Sequence, residues 1–401
     1  MRRVAGLGLV VLIAVACSSP TASSPSASTG ASASGAAGSG EASGTPYEIN
    51  VILPLTGSGA FLGKPQQQAL QVLESTFNKS GGIKGRPVKF TFYDDTTTPA
   101  TDVQLANQII AKKVPIIIGP SIVASCNAIS PLLNNGPVMY CLSPGIHPDK
   151  GSYTFTSSVS TVDQNRALFK YFKSKGLTKV ATLTSTDATG QDADNAIHTA
   201  QSETPGVDLV AQEHFTTTDV SVSAQITHVK ASGAQVLVAW STGTPIATVL
   251  RGVSQAGLDI PVATTDGNMT FAQMDQYASF LPKELLIPAP QWPQRDTIPA
   301  GAVKDKLTAY YSALQSQNVP TDIGPSLAWD PAAIVLDALA KLGPDATATR
   351  LRDYIAGLKG YAGINGVYDF TKEPQRGLTV EQTIVTHWDS AKKAFVPVST
   401  P

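Results

Sequence analysis

From Tyr47 onward the chain alternates short apolar runs with longer segments of helical spacing. Glu48–Leu53, Val88–Tyr93, Pro115–Ile118 and Val138–Leu142 read as strands. Pro115–Ile118 is apolar throughout, the pattern of a strand covered on both faces of a parallel sheet. Lys64–Lys79 reads as a helix, with Ala69, Leu70, Val72, Leu73 and Phe77 near one face. Ala100–Lys112, opened by Thr98-Pro99, and Ala124–Leu133 are the next two helices. A β-α-β-α-β-α-β order of this kind predicts a doubly wound α/β sheet.

The pattern repeats after Thr156. Helices are expected at Val162–Lys175, Gln191–Gln201, Val220–Ala231, Pro245–Gln255 and Phe271–Phe280. Strands are expected at Val180–Thr184, Val207–His214, Val236–Trp240, Val262–Thr265 and Leu285–Ile287. Each set is about the size of one domain. The Pro-rich stretch Pro288–Pro293 breaks regular structure and marks a crossover. Two long helices follow, Ala302–Gln315 and Ser326–Leu342, then a shorter one near Thr349–Leu358. Gly363–Phe370 and Val380–Trp388 are expected to pair as a closing hairpin.

The first 46 residues have another character. Arg2 and Arg3 precede a 13-residue apolar run, Val4–Ala16, the length of a signal-peptide core. Ala14-Val15-Ala16-Cys17 resembles a bacterial lipobox, in which the cysteine is diacylated and becomes the mature N-terminus; Ala14 stands where leucine is usual. The alternative is an ordinary secretory signal with an A-x-A cleavage site. Residues 18–46 hold 10 Ser, 7 Ala and 5 Gly with one charge, Glu41, so they are expected to be a flexible tether that forms no core. A coil of this length spans roughly 30 Å, and two acyl chains anchor stably where one does not.

Composition adds exclusions. The 401 residues carry 29 Lys+Arg against 30 Asp+Glu, a net charge of −1, which argues against nucleic acid as the main partner. Hydrophobic residues make up 42%, enough for a sizeable core. Three cysteines rule out a disulfide-dense scaffold. Of these, Cys126 opens a helix and Cys141 ends the next strand, so both belong to one sheet edge. In a secreted chain that favours a disulfide, with two buried thiols as the alternative.

Signals of catalysis are poor. Gly57, Gly59 and Gly63 are spaced G-x-G-x-x-x-G, one residue too long for a dinucleotide fingerprint. Neither a phosphate-binding loop nor a nucleophile elbow occurs, and the five histidines are scattered. Asp94-Asp95, at a strand end, is expected to be a solvated turn or cap. No enzyme activity, metal or cofactor is expected.

Several short stretches nevertheless keep a recognisable order. They are Leu53-Pro54-Leu55-Thr56-Gly57, Ile117-Ile118-Gly119-Pro120-Ser121, Leu142-Ser143-Pro144-Gly145, Thr265-Asp266-Gly267, Ala328-Trp329-Asp330-Pro331-Ala332 and Gly363-Ile364-Asn365-Gly366. Together they resemble the periplasmic-type binding proteins of branched-chain amino-acid ABC transporters, over nearly all of 47–401. The resemblance implies a type I fold of two lobes joined by three crossings, with lobe one at 47–156 plus 291–380 and lobe two at 157–290 plus 381–401. It implies a monomer that closes on a small ligand and delivers it to membrane permease subunits, outside the cytoplasm and held to the membrane through Cys17. A sensor of the same fold, feeding a signalling partner, is the alternative.

Site residues carry over one at a time. A serine after the third strand holds the ligand carboxylate in the family; Ser125 matches best and Ser121 second. Gly145 fits the backbone-amide position after the fourth strand, and His147 replaces the family's threonine. Asp266 matches the acidic residue that receives the ligand's ammonium group. Thr189 and Thr244 stand in wall loops where relatives carry tyrosine. Phe61, Trp240, Trp292 and Trp329 remain to supply aromatic surface. The departures leave the identity of an amino-acid ligand open.

Overall fold

The computed structural model describes residues 41–399. The 1–17 leader with Cys17, and the tether as far as residue 40, lie outside the described residues.

Five strands form the first sheet: β1 (Tyr47–Leu53), β2 (Val88–Asp94), β3 (Ile116–Ile118), β4 (Val138–Cys141) and β5 (Thr154–Thr156). Their order is β2-β1-β3-β4-β5, parallel throughout. Helices α1 (Ala60–Lys79), α2 (Pro99–Ala111) and α3 (Val123–Ile129) make the crossovers. Covering on both faces explains why every residue of β3 and β4 is buried.

The second unit holds α4 (Thr161–Ser174), β6 (Lys179–Ser185), α5 (Ala188–Ser202), β7 (Asp208–Phe215), α6 (Ser223–Ala231), β8 (Val236–Trp240), α7 (Thr244–Gln255), β9 (Val262–Ala263), α8 (Phe271–Tyr277) and β10 (Leu285–Ala289). Ser160 and Asp187 cap α4 and α5, each accepting from a backbone N–H of the first turn. The chain then returns to the first sheet. α9 (Ala302–Ser316) and α10 (Ile323–Leu342) pack on α1, and α11 (Ala348–Ala356) packs on α10. The last strands are β11 (Lys359–Ala362), β12 (Val367–Asp369), β13 (Ile384–Asp389) and β14 (Ala394–Pro397).

The two-lobed α/β architecture expected from the alternation is present. Three details differ. The 363–370 and 380–388 segments do not form a hairpin. β12 pairs with β11, while β13 pairs with β10 and β14. The cause lies in α10, whose buried Asp330 accepts the backbone N–H groups of Ile364 and Asn365 at 2.9 Å each and holds that segment to the first lobe. The second sheet, ordered β14-β13-β10-β9-β8-β6-β7, is therefore mixed: β13 alone runs against the other strands, pairing antiparallel with β10 and with β14. Finally, α6 begins at Ser223, and Val220 is 95% exposed in the preceding loop.

Candidate functional site

Both sheets reverse strand order, one between β1 and β3 and the other between β6 and β8. Ligands of open α/β sheets bind beyond the carboxyl ends of strands at such points. Here the two edges face each other. One wall of the cavity between them comes from residues after β3 and β4: Ser121, Ile122, Val123 and Leu142 to Gly145. The opposite wall comes from strand ends of the second lobe: Thr189, Asp192, Trp240, Thr242 and Thr265 to Gly267. Leu62, Thr161 and Leu327 complete the lining.

The lobes are closed on one another. The cavity has a volume of about 30 Å³, and at about 10–15 Å³ each that is room for two or three waters. His147 Nε2 lies 2.6 Å from Asp192 Oδ1. The Ile323 N–H donates to the Met269 carbonyl at 3.1 Å. Phe61 packs so tightly on Gly243 that a Cβ there would stand 2.8 Å from its ring.

Asp266 sits in the cavity wall and is fully buried. Its carboxylate accepts from the hydroxyls of Ser158 at 2.9 Å and Thr265 at 3.1 Å. Burial pushes its carboxyl up to about 6, and these hydroxyls, Gln164 and the Gly267 N–H hold it from rising further. Ser158 lies on the connection between the lobes and has a φ of 65°, in the left-handed region that disfavours side chains. Arg376, buried nearby, donates to the carbonyls of Ser157 and Ser158 and to those of Pro144 and Ile146. It therefore ties the connection to the loop that carries Gly145.

The structure brings Ser121, Gly145, Thr189, Asp266 and Trp240 to the cavity. It separates the others from it. Ser125 is buried in the first lobe beside Asp102, whose carboxyl burial pushes up with Ser125 opposing; the carboxylate position matched by Ser125 is thus not on the cavity wall, while Ser121 is. His147 lies at the rim, with its side chain 58% exposed. Thr244 starts α7, and Thr242 takes the lining position. Trp329 packs edge-on against Tyr310 at 5.0 Å, and Trp292 is buried in the same core. Phe61 closes the rim and does not line the cavity. Ser143, Asp192 and Thr242 escaped the sequence reading. Asp192 has no motif of its own; it follows Gly190, whose missing Cβ lets α5 start hard against the Ser185 carbonyl.

Cys126 and Cys141 form a disulfide between α3 and the end of β4, directly behind the first wall. Asp94 makes the expected turn, accepting from Leu55, Thr56 and Thr96. Asp95 corrects the expectation of a solvated pair, because it is fully buried.

A family model described as periplasmic binding protein matches residues 46–393. A Leu/Ile/Val-binding protein homolog of Brucella melitensis is 28% identical over 197 residues, 47% of this chain and 52% of the relative. The chain spans about half the length of the curated relatives it matches. An extracellular ligand-binding receptor from Rhodopseudomonas palustris superimposes with a TM-score of 0.79 at 19% identity, covering 88% of this chain and all of that one. A branched-chain amino acid transporter substrate-binding protein of Streptococcus pneumoniae, solved with isoleucine, gives 0.73 at 18% identity over 88% of this chain and 99% of its own.

Proposed function

The chain belongs to the periplasmic binding protein family, and from that premise we propose that it captures a small amine-bearing polar solute, an amino acid or a related compound, for an ABC importer. Hinge closure buries the solute between the lobes, and the closed form is what membrane permease subunits read. Asp266 receives the ammonium group, and Ser121 with Gly145 faces the polar end opposite. Diacylated Cys17 holds the body at the outer face of a membrane. Masses of the mature N-terminal peptide test the anchor; a Cys17→Ser chain is expected in the soluble fraction, and persistence on the membrane would argue against it.

The observation that carries this reading is Asp266. A carboxylate stands buried in the wall of an interlobe cavity that no Lys or Arg lines. Such a group calls for a cationic partner. A thermal-shift screen of amino acids, amines, amides, carboxylates and sugars tests it. A solute at a hundred times its dissociation constant stabilises by about 2.7 kcal/mol. Asp266→Ala is expected to weaken an amine-bearing solute by about 1.5–3 kcal/mol, the scale of a charged hydrogen bond. Affinity is expected to fall below pH about 6, where the carboxyl protonates in the empty cavity. Unchanged affinity in Asp266→Ala, or a flat pH profile between 5 and 7, would remove the ammonium role.

A further inference from the structure

Asp192 does something that the amine contact at Asp266 does not explain. It lies in the first turns of α5 and lines the same cavity. One oxygen, Oδ1, is taken by His147 across the lobes at 2.6 Å. The other, Oδ2, is buried and has no partner among the described residues. It faces Gly145 so closely that a Cβ on that glycine would stand 3.0 Å away. Both residues line the cavity, and a side chain on Gly145 would crowd the carboxylate oxygen. A buried charged acceptor without a donor is costly, and native structures seldom leave one.

Two donors of the first wall are already engaged. Ser121 donates its hydroxyl proton to Gln66 Oε1 at 2.6 Å. The Gly145 N–H is directed at Ser143 Oγ, at 3.5 Å. Both ionisable residues of the lining, Asp192 and Asp266, are acids. A ligand carboxylate placed against Gly145 would meet Asp192 Oδ2, a like charge with little solvent to screen it.

We propose that Asp192 is a second ligand contact, and that the solute is a small compound with nitrogen donors at two positions, such as a short diamine or an amino amide, in preference to a branched-chain amino acid. One donor goes to Asp266 and the other to Asp192 Oδ2. His147 holds the Asp192 carboxyl in place from the facing lobe through its Nε2 contact. The inference rests on the solute-capture reading above and narrows its substrate class.

Calorimetric titration of the full chain with 1,4-diaminobutane, glycinamide, glycine and leucine tests it. The two-donor probes are expected to bind at least tenfold more tightly than leucine. Asp192→Asn is expected to weaken 1,4-diaminobutane at least tenfold and to leave leucine unchanged or tighter. His147→Gln separates a contact from a latch: it should weaken all probes alike and by less. Melting curves of each variant establish that it is folded, with Asp192→Ser as the substitute if Asn is not. Leucine binding as tightly as the two-donor probes would overturn the proposal and spare solute capture. So would Asp192→Asn and His147→Gln weakening every probe by the same factor, since Asp192 would then act only through the interlobe pair. No heat with any of the probes and no hit in the thermal-shift screen would overturn both readings.

Discussion

Asp330→Ala is expected to lower the stability of the body by about 3–5 kcal/mol, read as a shift of the urea midpoint without a change in slope. Asp330 is fully buried in the middle of α10. Its Oδ1 accepts the Ile364 N–H, and its Oδ2 accepts the Asn365 N–H and the Tyr368 hydroxyl, all at 2.9 Å. Alanine would leave two buried amides and a phenol without an acceptor, each costing about 1–3 kcal/mol. The loss would spread. Asn365 also exchanges hydrogen bonds with Ser326, its Oδ1 accepting from Oγ at 2.7 Å and its Nδ2 donating to the carbonyl at 3.1 Å. Tyr368 stacks on Phe370, whose ring meets Phe155 of β5 edge-on. Asp330 is thus the point through which the 363–370 segment is fixed to the first lobe. Asp330→Asn keeps one acceptor oxygen but turns an NH2 toward donors, so an intermediate loss is expected. A loss under about 1 kcal/mol in Asp330→Ala would show that the segment is held by its aromatic packing.

That segment also marks where the sequence stops being informative. Period-two and period-3.6 patterns gave the strands and helices of both lobes, because each element buries a face whatever its partner. They do not say which strand lies beside which. Gly363–Phe370 and Val380–Trp388 both fit a hairpin, and only the buried carboxylate of α10 decides that the first pairs elsewhere. The same limit applies to the cavity. Ser121 and Ser125 flank the start of α3 four residues apart, so which of them faces the opposite lobe depends on how α3 docks on α2. Asp192 looks like any polar residue of an exposed helical turn. It becomes a cavity residue only because His147 and Gly145 of the other lobe close over it. Asp266 was legible because a short ordered motif, Thr265-Asp266-Gly267, sets it at a strand end. Residues buried by their own element announce themselves; residues buried by a distant one do not.

The buried acids behind the cavity wall give the second large effect. Asp95 and Asp102 are both fully buried. Asp95 Oδ2, both carboxylate oxygens of Asp102 and Ser125 Oγ are buried without a hydrogen-bond partner among the described residues. A proton shared between the two carboxyl groups would supply the missing donor. Burial pushes Asp102 up to about 8, with Ser125 opposing and the Asp95 charge adding; burial likewise pushes Asp95 up to about 6. Because both values are raised above the ordinary 3.8, the folded state binds the protons more tightly than the unfolded one. The resulting stability is fully present below pH about 4 and is lost as pH rises through about 6 and then 8. Asp102→Asn replaces the proton with a permanent N–H donor toward Asp95 and keeps an oxygen for Ser125. It is expected to match the native chain near pH 4, to flatten the decline above it, and to be more stable at pH 8 by on the order of 2–3 kcal/mol, at about 1.4 kcal/mol per pKa unit with a discount for the coupling. Parallel stability profiles for the two proteins from pH 4 to 8 would rule out the shared proton. Ser125 adjoins Cys126, whose disulfide to Cys141 joins α3 to the strand that leads into Ser143 and Gly145. The proton-dependent contact therefore lies directly behind the wall that carries Ser143 and Gly145.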